Sequence, residues 1–217
     1  MIELALSRKA GPLKILCLGA HSDDIEIGCG GTVLKLIREH KPVEFDWVVF
    51  SAGGARKEEA RASARAFLAG AARRAVALEG FRDGYFPAVG GEIKDYFEAL
   101  KRKVAPDLIF THQRSDLHQD HRLISDITWN TFRDHLILEY EVPKYDGDLG
   151  APNVFARLDR AVAEKKVRLI LKHFPSQAGN QWFTEDTFRA VMRLRGIESN
   201  APAGLAEGFH GRKLALL

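Results

Sequence analysis

The chain has 217 residues, 46% of them hydrophobic and 28% charged, with a formal net charge of +3. That supplies apolar material for one substantial core, while so mild a charge does not argue for nucleic acid. No run of about 18 apolar residues and no aromatic-interleaved basic tract occurs, so neither a bilayer span nor a nucleic-acid surface is expected.

The start, MIELALSRKAGPLK, lacks the basic-then-apolar order of a secretory signal. The expectation is a soluble, cytoplasmic protein with a single domain over residues 1–217. Two cysteines, Cys17 in an apolar run and Cys29 among glycines, read as packed thiols rather than a disulfide scaffold.

In chain order, KILCLGA (14–20) reads as a short buried strand. It ends abruptly in His21, Asp23 and Asp24, followed by Gly28, Gly30 and Gly31, with TVLKLIREH as the opening of a helix. PVEFDWVVFSAGG predicts a second strand in which Val43, Phe45, Trp47 and Val49 alternate. ARKEEARASARAFLAGAA predicts a helix with Arg56 and Glu59 in its first turn. A third strand is expected over 74–81, closing at Asp83 and Gly84. GEIKDYFEALKRKV predicts an amphipathic helix with Ile93, Tyr96, Phe97, Leu100 and Val104 on one face. Pro106 ends it and starts DLIFTH, a fourth strand running to His112.

Strands alternating with helices at this spacing imply an α/β fold: a Rossmann-like, mainly parallel sheet flanked by helices in three α/β/α layers. In the common order 3-2-1-4, strands one and four are neighbours and their carboxyl ends flank the switch point. The loop after strand four, QRSDLHQDH, carries Asp116, His118, Asp120 and His121. Two polar clusters about a hundred residues apart in sequence therefore meet at one crevice.

Beyond His121, RLISDITWNTFRDH predicts a helix with Leu123, Ile124, Ile127 and Phe132 as its apolar set. LILEYEV predicts a strand that joins the sheet. PKYDGDLGAPNVF reads as a polar and aromatic loop, either plain surface or a wall of the substrate pocket. LDRAVAEKKVRLILKH predicts a cationic amphipathic helix against the sheet, TEDTFRAVMRLRG a last helix capped by Thr184, and GLAEGFHGRKLALL a final strand.

Either cluster alone has a bland reading. The first can be a hydrogen-bonded turn, and HQDH can be a helix cap with solvated histidines. Together they supply His21, Asp24 and His121, a set of the kind that holds catalytic zinc with one position open for water. With Asp24 on the metal, Asp23 is directed elsewhere and is free to take a proton as general base. His118 suits oxyanion stabilisation or protonation of a leaving amine, and Asp120 suits orienting one of the imidazoles. The combination points to a metallohydrolase.

AHSDDIEIGCGGT and HQDH resemble the two signatures of the LmbE-like, or PIG-L, family of zinc-dependent deacetylases, and the likeness continues through SAGGARKEEARASA, the Asp83 turn, HFPSQ and AEGF. The resemblance implies one Zn2+ per chain on His21, Asp24 and His121, with another divalent metal compatible. It implies Asp23 as general base and His118 as electrostatic partner or general acid. It also implies removal of an acetyl group from an N-acetylglucosamine-type sugar, linked to inositol or malate or carried on a nucleotide or an antibiotic, with Arg56 and Asp83 contacting sugar hydroxyls; a nucleotide sugar or glycan precursor is the expected form here. Read as residues alone, Arg56 could pair with Glu59 and Asp83 could cap its turn.

Ala20, Ser22, Ile25 and Gln119 depart from the usual signatures without removing a ligand, and Leu205 stands where a tyrosine often precedes AEGF. These departures bear on the substrate rather than the reaction. The stretch 139–153 reads as a specificity element at the pocket rim. The expected partner is a small N-acetylated sugar, with no nucleic acid and no membrane span; assembly into a homo-oligomer is compatible. The alternatives are a silent sugar-binding module of the same fold and a metallohydrolase of a different amide or ester.

Overall fold

The computed structural model describes Leu6 and residues 11–215. The chain runs β1 (Leu13–His21), α1 (Asp24–Glu39), β2 (Val43–Ser51), α2 (Ala55–Phe67), β3 (Arg73–Leu78), α3 (Gly90–Lys101), β4 (Leu108–His112), α4 (Gln119–Thr131), β5 (Leu136–Tyr140), β6 (Val154–Leu158), α5 (Arg160–His173), α6 (Glu185–Glu198) and β7 (Leu205–Gly211), with short 3-10 turns at Phe86–Val89 and Pro175–Gln177. The seven strands form one sheet in the order β3-β2-β1-β4-β5-β7-β6. Strands β3 to β5 are parallel in that order, and β7 runs antiparallel between β5 and β6.

The unbroken apolar run of β1 has a two-sided cause. Ile15 and Cys17 pack into a core with α1, α2, α5 and α6, whereas Leu16, Leu18 and Ala20 pack into a second core with α3 and α4. A parallel strand covered by helices on both faces needs apolar residues at every position. In β2 the expected alternating set, Val43, Phe45, Trp47 and Val49, lies wholly in the first core, with Val48 and Phe50 in the second. Both cysteines are buried free thiols.

Three element boundaries differ from the sequence-based expectation. Helix α1 starts at Asp24, eight residues before Thr32, so Gly28, Gly30 and Gly31 lie inside the helix rather than in a turn. Their role is close approach: a Cβ on Gly28 would sit 2.1 Å from the Tyr140 ring, and one on Gly30 2.6 Å from Phe67. Helix α4 starts at Gln119 rather than Arg122, capped by His118. Strand β6 occupies what reads as loop and helix start, because pairing with β7 overrides weak local preference, and α5 begins only at Arg160 with Asp159 as its cap. The Thr184 cap of α6 is as expected, its side chain accepting from the Thr187 amide.

The helix α5 face directed at α1 carries Lys166, buried and bound to Glu207 at 2.6 Å and to the Ile27 carbonyl at 2.6 Å. Glu207 also accepts the Gly31 and Thr32 amides. The AEGF stretch therefore fastens β7 to the helix that begins at the candidate site. Among the described residues, no helix is long and apolar enough to cross a membrane.

Candidate active site

Strand β1 ends at His21 and helix α1 begins at Asp24, so two residues separate regular elements and His21 and Asp24 are held by the backbone itself. The His21 amide donates to Asp24 Oδ2 at 2.6 Å, closing the turn. Strand β4 ends at His112, and the following loop returns the chain so that His121 lies in the first turn of α4. Because β1 and β4 are parallel neighbours, the two turns meet at the carboxyl edge of the sheet.

There, three donor atoms converge. His21 Nδ1 lies 3.1 Å from His121 Nε2 and 3.4 Å from Asp24 Oδ2, and His121 Nε2 lies 3.5 Å from Asp24 Oδ2. The hydrogen-bond partners assign the tautomers. His121 Nδ1 donates to Asp116 Oδ2 at 2.9 Å, leaving its Nε2 lone pair towards the cluster. His21 Nε2 faces Asp83 Oδ1 at 3.0 Å and Asp120 Oδ2 at 3.3 Å, leaving its Nδ1 lone pair towards the same point. Two imidazole nitrogens and a carboxylate oxygen aimed at one another repel unless a proton or a metal ion lies among them. A tetrahedral ion with bonds of about 2.0–2.1 Å separates its ligands by roughly 3.4 Å, so the donor set and its spacing fit zinc.

Without a metal, a proton on His21 takes that part: burial works to lower the His21 pKa, but the charge of Asp24 and the hydrogen bonds of His21 to Asp120, Asp24 and Asp83 hold it well above its ordinary value. Against the burial that would raise it, Asp24 is held well below the usual carboxylate range by His121, His112 and His21. The carboxylates here are matched to positive charge. Asp23 behaves differently: burial raises its pKa, and Arg56 only partly offsets this. Its Oδ1 accepts from Arg56 at 2.7 Å, whereas its Oδ2 is buried without a partner. A buried orphan acceptor is costly to a fold and marks a place where a ligand or water belongs.

His118 caps α4, its Nδ1 accepting the Asp120 amide at 3.2 Å, so its ring proton is carried on Nε2. The ring lies edge-on to His21, with centroids 4.8 Å apart. Asp120, 3.3 Å from His21 Nε2, accepts the Gly84 and Phe86 amides as well. Arg56 does not pair with Glu59, which binds Ser176 instead. Asp83 reaches His21 rather than capping its own turn.

Two residues at the site are not among the sequence-derived candidates. Asp116 joins His121, as described, and accepts the His118 amide at 2.8 Å. Its signal is a carboxylate five residues before a candidate ligand, in a loop whose expected roles fall to His118, Asp120 and His121. His112 is fully buried and stacked on His121 with ring centroids 3.9 Å apart. Burial pulls its pKa down to about 4. Its Nε2 lies 3.3 Å from Asp24 Oδ2, but that nitrogen accepts the Ala20 amide at 2.9 Å. His112 therefore buttresses His121 and ties β1 to β4, and its lone pair is not free for a metal. No motif distinguishes such a histidine from any other at a strand end.

A cavity of about 890 Å3 opens over the cluster. His21, Asp23, Asp24, His118 and His121 form its floor, and Arg56, Asp83 and Trp182 line it. Val142, Lys144, Tyr145 and Asp146, from the segment read as a rim, line it too.

The chain matches the PIG-L family, described as GlcNAc-PI de-N-acetylase, over residues 16–132. In structure it is similar to a conserved protein from Thermus thermophilus (21% identity, TM-score 0.73, covering 94% of this chain and 97% of that one). It is similar to the N,N'-diacetylchitobiose deacetylase from Pyrococcus horikoshii (20% identity, TM-score 0.67, covering 92% and 83%). It is also similar to GalB, the 4-carboxy-2-hydroxymuconate hydratase from Pseudomonas putida (17% identity, TM-score 0.69, covering 94% and 98%).

Proposed function

This chain belongs to the PIG-L family of de-N-acetylases, and from that premise we propose that it is a zinc-dependent hydrolase removing the acetyl group of an N-acetylated amino sugar. The observation that carries the reading is the convergence of His21 Nδ1, Asp24 Oδ2 and His121 Nε2 beside the unpartnered Oδ2 of Asp23.

His21, Asp24 and His121 would hold the zinc, which would supply Lewis acidity and a more acidic water. Asp23 Oδ2 accepts the proton of the attacking water, while Arg56 fixes the other carboxylate oxygen and so the plane of the group. His118 donates its Nε2–H to the oxyanion that develops on the acetyl carbonyl. Asp23 then returns the proton to the departing nitrogen, giving the free amino sugar and acetate. Asp120 keeps His21 in the tautomer that leaves Nδ1 unprotonated. Asp83 and Arg56, on the cavity wall, suit contacts with sugar hydroxyls, and the 139–153 segment suits selection of whatever the sugar is attached to.

The test is acetate release from a panel of N-acetylated amino sugars, free, nucleotide-linked and oligomeric, by protein of measured metal content. Because the same fold serves a hydratase, acetate rather than substrate loss is the readout. The expected outcome is about one divalent ion per chain and acetate from part of the panel. Asp23→Asn is expected to retain the metal and to lower turnover roughly 10^2- to 10^4-fold. Undiminished acetate release by metal-replete Asp23→Asn would overturn the assignment of the base.

A further inference from the structure

The segment after β5 lines the cavity and is tied to the loop after β4 by Lys144. Lys144 Nζ lies 3.0 Å from Asp116 Oδ1 and 2.5 Å from Asp148 Oδ2. Asp148 also accepts the Leu117 amide at 2.7 Å, and its carbonyl accepts from Gln113 at 2.9 Å. The segment is anchored further by Glu141 and by the Gly150 carbonyl, both on Arg195 of α6. Lys144 is the one link in this set that reaches the metal-binding cluster.

That link runs through Asp116, which is completely buried. Its Oδ1 receives Lys144 and the His118 amide, and its Oδ2 receives His121 Nδ1–H. The oxygens of a buried carboxylate need donors, and here these come from the start of α4 and from Lys144. Without Lys144, Oδ1 would keep one neutral donor and the carboxylate would be free to rotate, which loosens the hydrogen bond that orients His121. A carboxylate fixing the far nitrogen of a ligand imidazole raises its basicity and holds its tautomer.

We propose that Lys144 is a positioning residue that makes closure of the 143–150 segment and assembly of the metal-binding cluster one coupled event. The coupling acts in both directions: metal on His121 steadies Asp116, Asp116 holds Lys144, and Lys144 holds the pocket wall. The proposal rests on His121 being a metal ligand and goes beyond it, since it assigns the pocket wall a part in metal affinity.

The experiment uses full-length protein stripped of metal and titrated with Co2+, followed by its visible absorption and by chelator competition. Amide exchange over residues 143–150 is measured with and without Co2+. Wild type is expected to bind one Co2+ and to gain protection in that segment on binding. Lys144→Met is expected to bind Co2+ roughly tenfold more weakly, the lower end of the range for partners of ligand residues, and to show no gain in protection. Lys144→Arg, which keeps the charge, should restore affinity to within about threefold. Affinity within twofold of wild type together with a normal protection response in Lys144→Met would overturn the proposal. His121→Ala separates this idea from its premise. If that variant binds Co2+ as wild type does, the ligand assignment itself fails.

Discussion

The turns after β1 and after β4 each deliver a histidine and acids to the same point, and they are held in opposite ways. After β1 only Ser22 and Asp23 separate strand from helix, so His21 is the last residue of one regular element and Asp24 the first of the next. Their backbone placement follows from the two elements and one local hydrogen bond. After β4 the chain spends six residues before α4, and their path is set by groups from elsewhere: Lys144 and Asp148 on Asp116 and Leu117, and Glu139 on the Arg114 amide at 3.1 Å. The short turn is specified locally. The long one is specified by tertiary contacts, so distant substitutions should disturb His121 while leaving His21 and Asp24 in place.

The severest way to probe the comparison is to remove one ligand from each side. Asp24→Ala and His121→Ala should each lose stoichiometric metal, read by elemental analysis, and acetate release should fall to background. Retention of both in either variant would show that the two turns do not form one site.

The locally specified side carries a measurable cost. Glu26, in the first turn of α1, is fully buried with both carboxyl oxygens lacking hydrogen-bond partners, and burial raises its pKa from 4.5 to about 8. An acid protonated in the fold and ionised in the unfolded chain draws stability down as pH rises. The loss begins near 4.5, grows until about 8 and is constant above that. Denaturant melts of metal-free wild type should therefore show stability falling by a few kcal/mol from about pH 5 to about pH 8. Glu26→Gln should flatten that slope, and an equal slope in the variant would place its origin elsewhere.

Gly28→Ala addresses the same helix sterically. The added Cβ meets the Tyr140 ring at 2.1 Å, and that ring is pinned by a hydroxyl donating to the Leu18 carbonyl at 2.7 Å. Overpacking of this kind should cost about 3 kcal/mol and lower the melting temperature by roughly 6–12 °C. An unchanged melt would show that α1 has room to shift.

On the remotely specified side, Asp116→Asn should lower metal affinity roughly 10- to 100-fold with the melt of the metal-free protein changed far less. A loss of fold in step with metal would make Asp116 structural instead. The smallest effect is expected far from both turns. Arg73 pairs with Glu44 and Asp46 on the exposed edge strand β3, and Arg73→Ala should change stability by less than about 1 kcal/mol and leave metal affinity alone.

Much of the fold is legible in the sequence because its signals are local and strong. The apolar runs of β1, β2 and β4, the helical face of Ile93 and Phe97, and the Thr184 cap depend on neighbours within a few residues. The start of α1 is not legible, because three glycines within four residues look like a turn. Their reason for being glycine is Tyr140, Phe67 and Leu158, which lie far along the chain. Strand β6 escapes a local reading because its pairing partner β7 lies about fifty residues on.

The residue types that converge at the crevice, His21, Asp23, Asp24, His118 and His121, were determined by the sequence together with strand order, since parallel neighbours must bring their carboxyl ends to one edge. Which atom of each faces the cluster was decided only by the tertiary structure. Hydrogen bonds donated to Asp116, Asp120 and Asp83 select the tautomers, Arg56 occupies one oxygen of Asp23, and the Ala20 amide takes the lone pair of His112. The physical reason is one of range. Periodicity and capping act between residues close in the chain, whereas the lone pair that an imidazole presents depends on whichever donor or acceptor the fold brings to its other nitrogen.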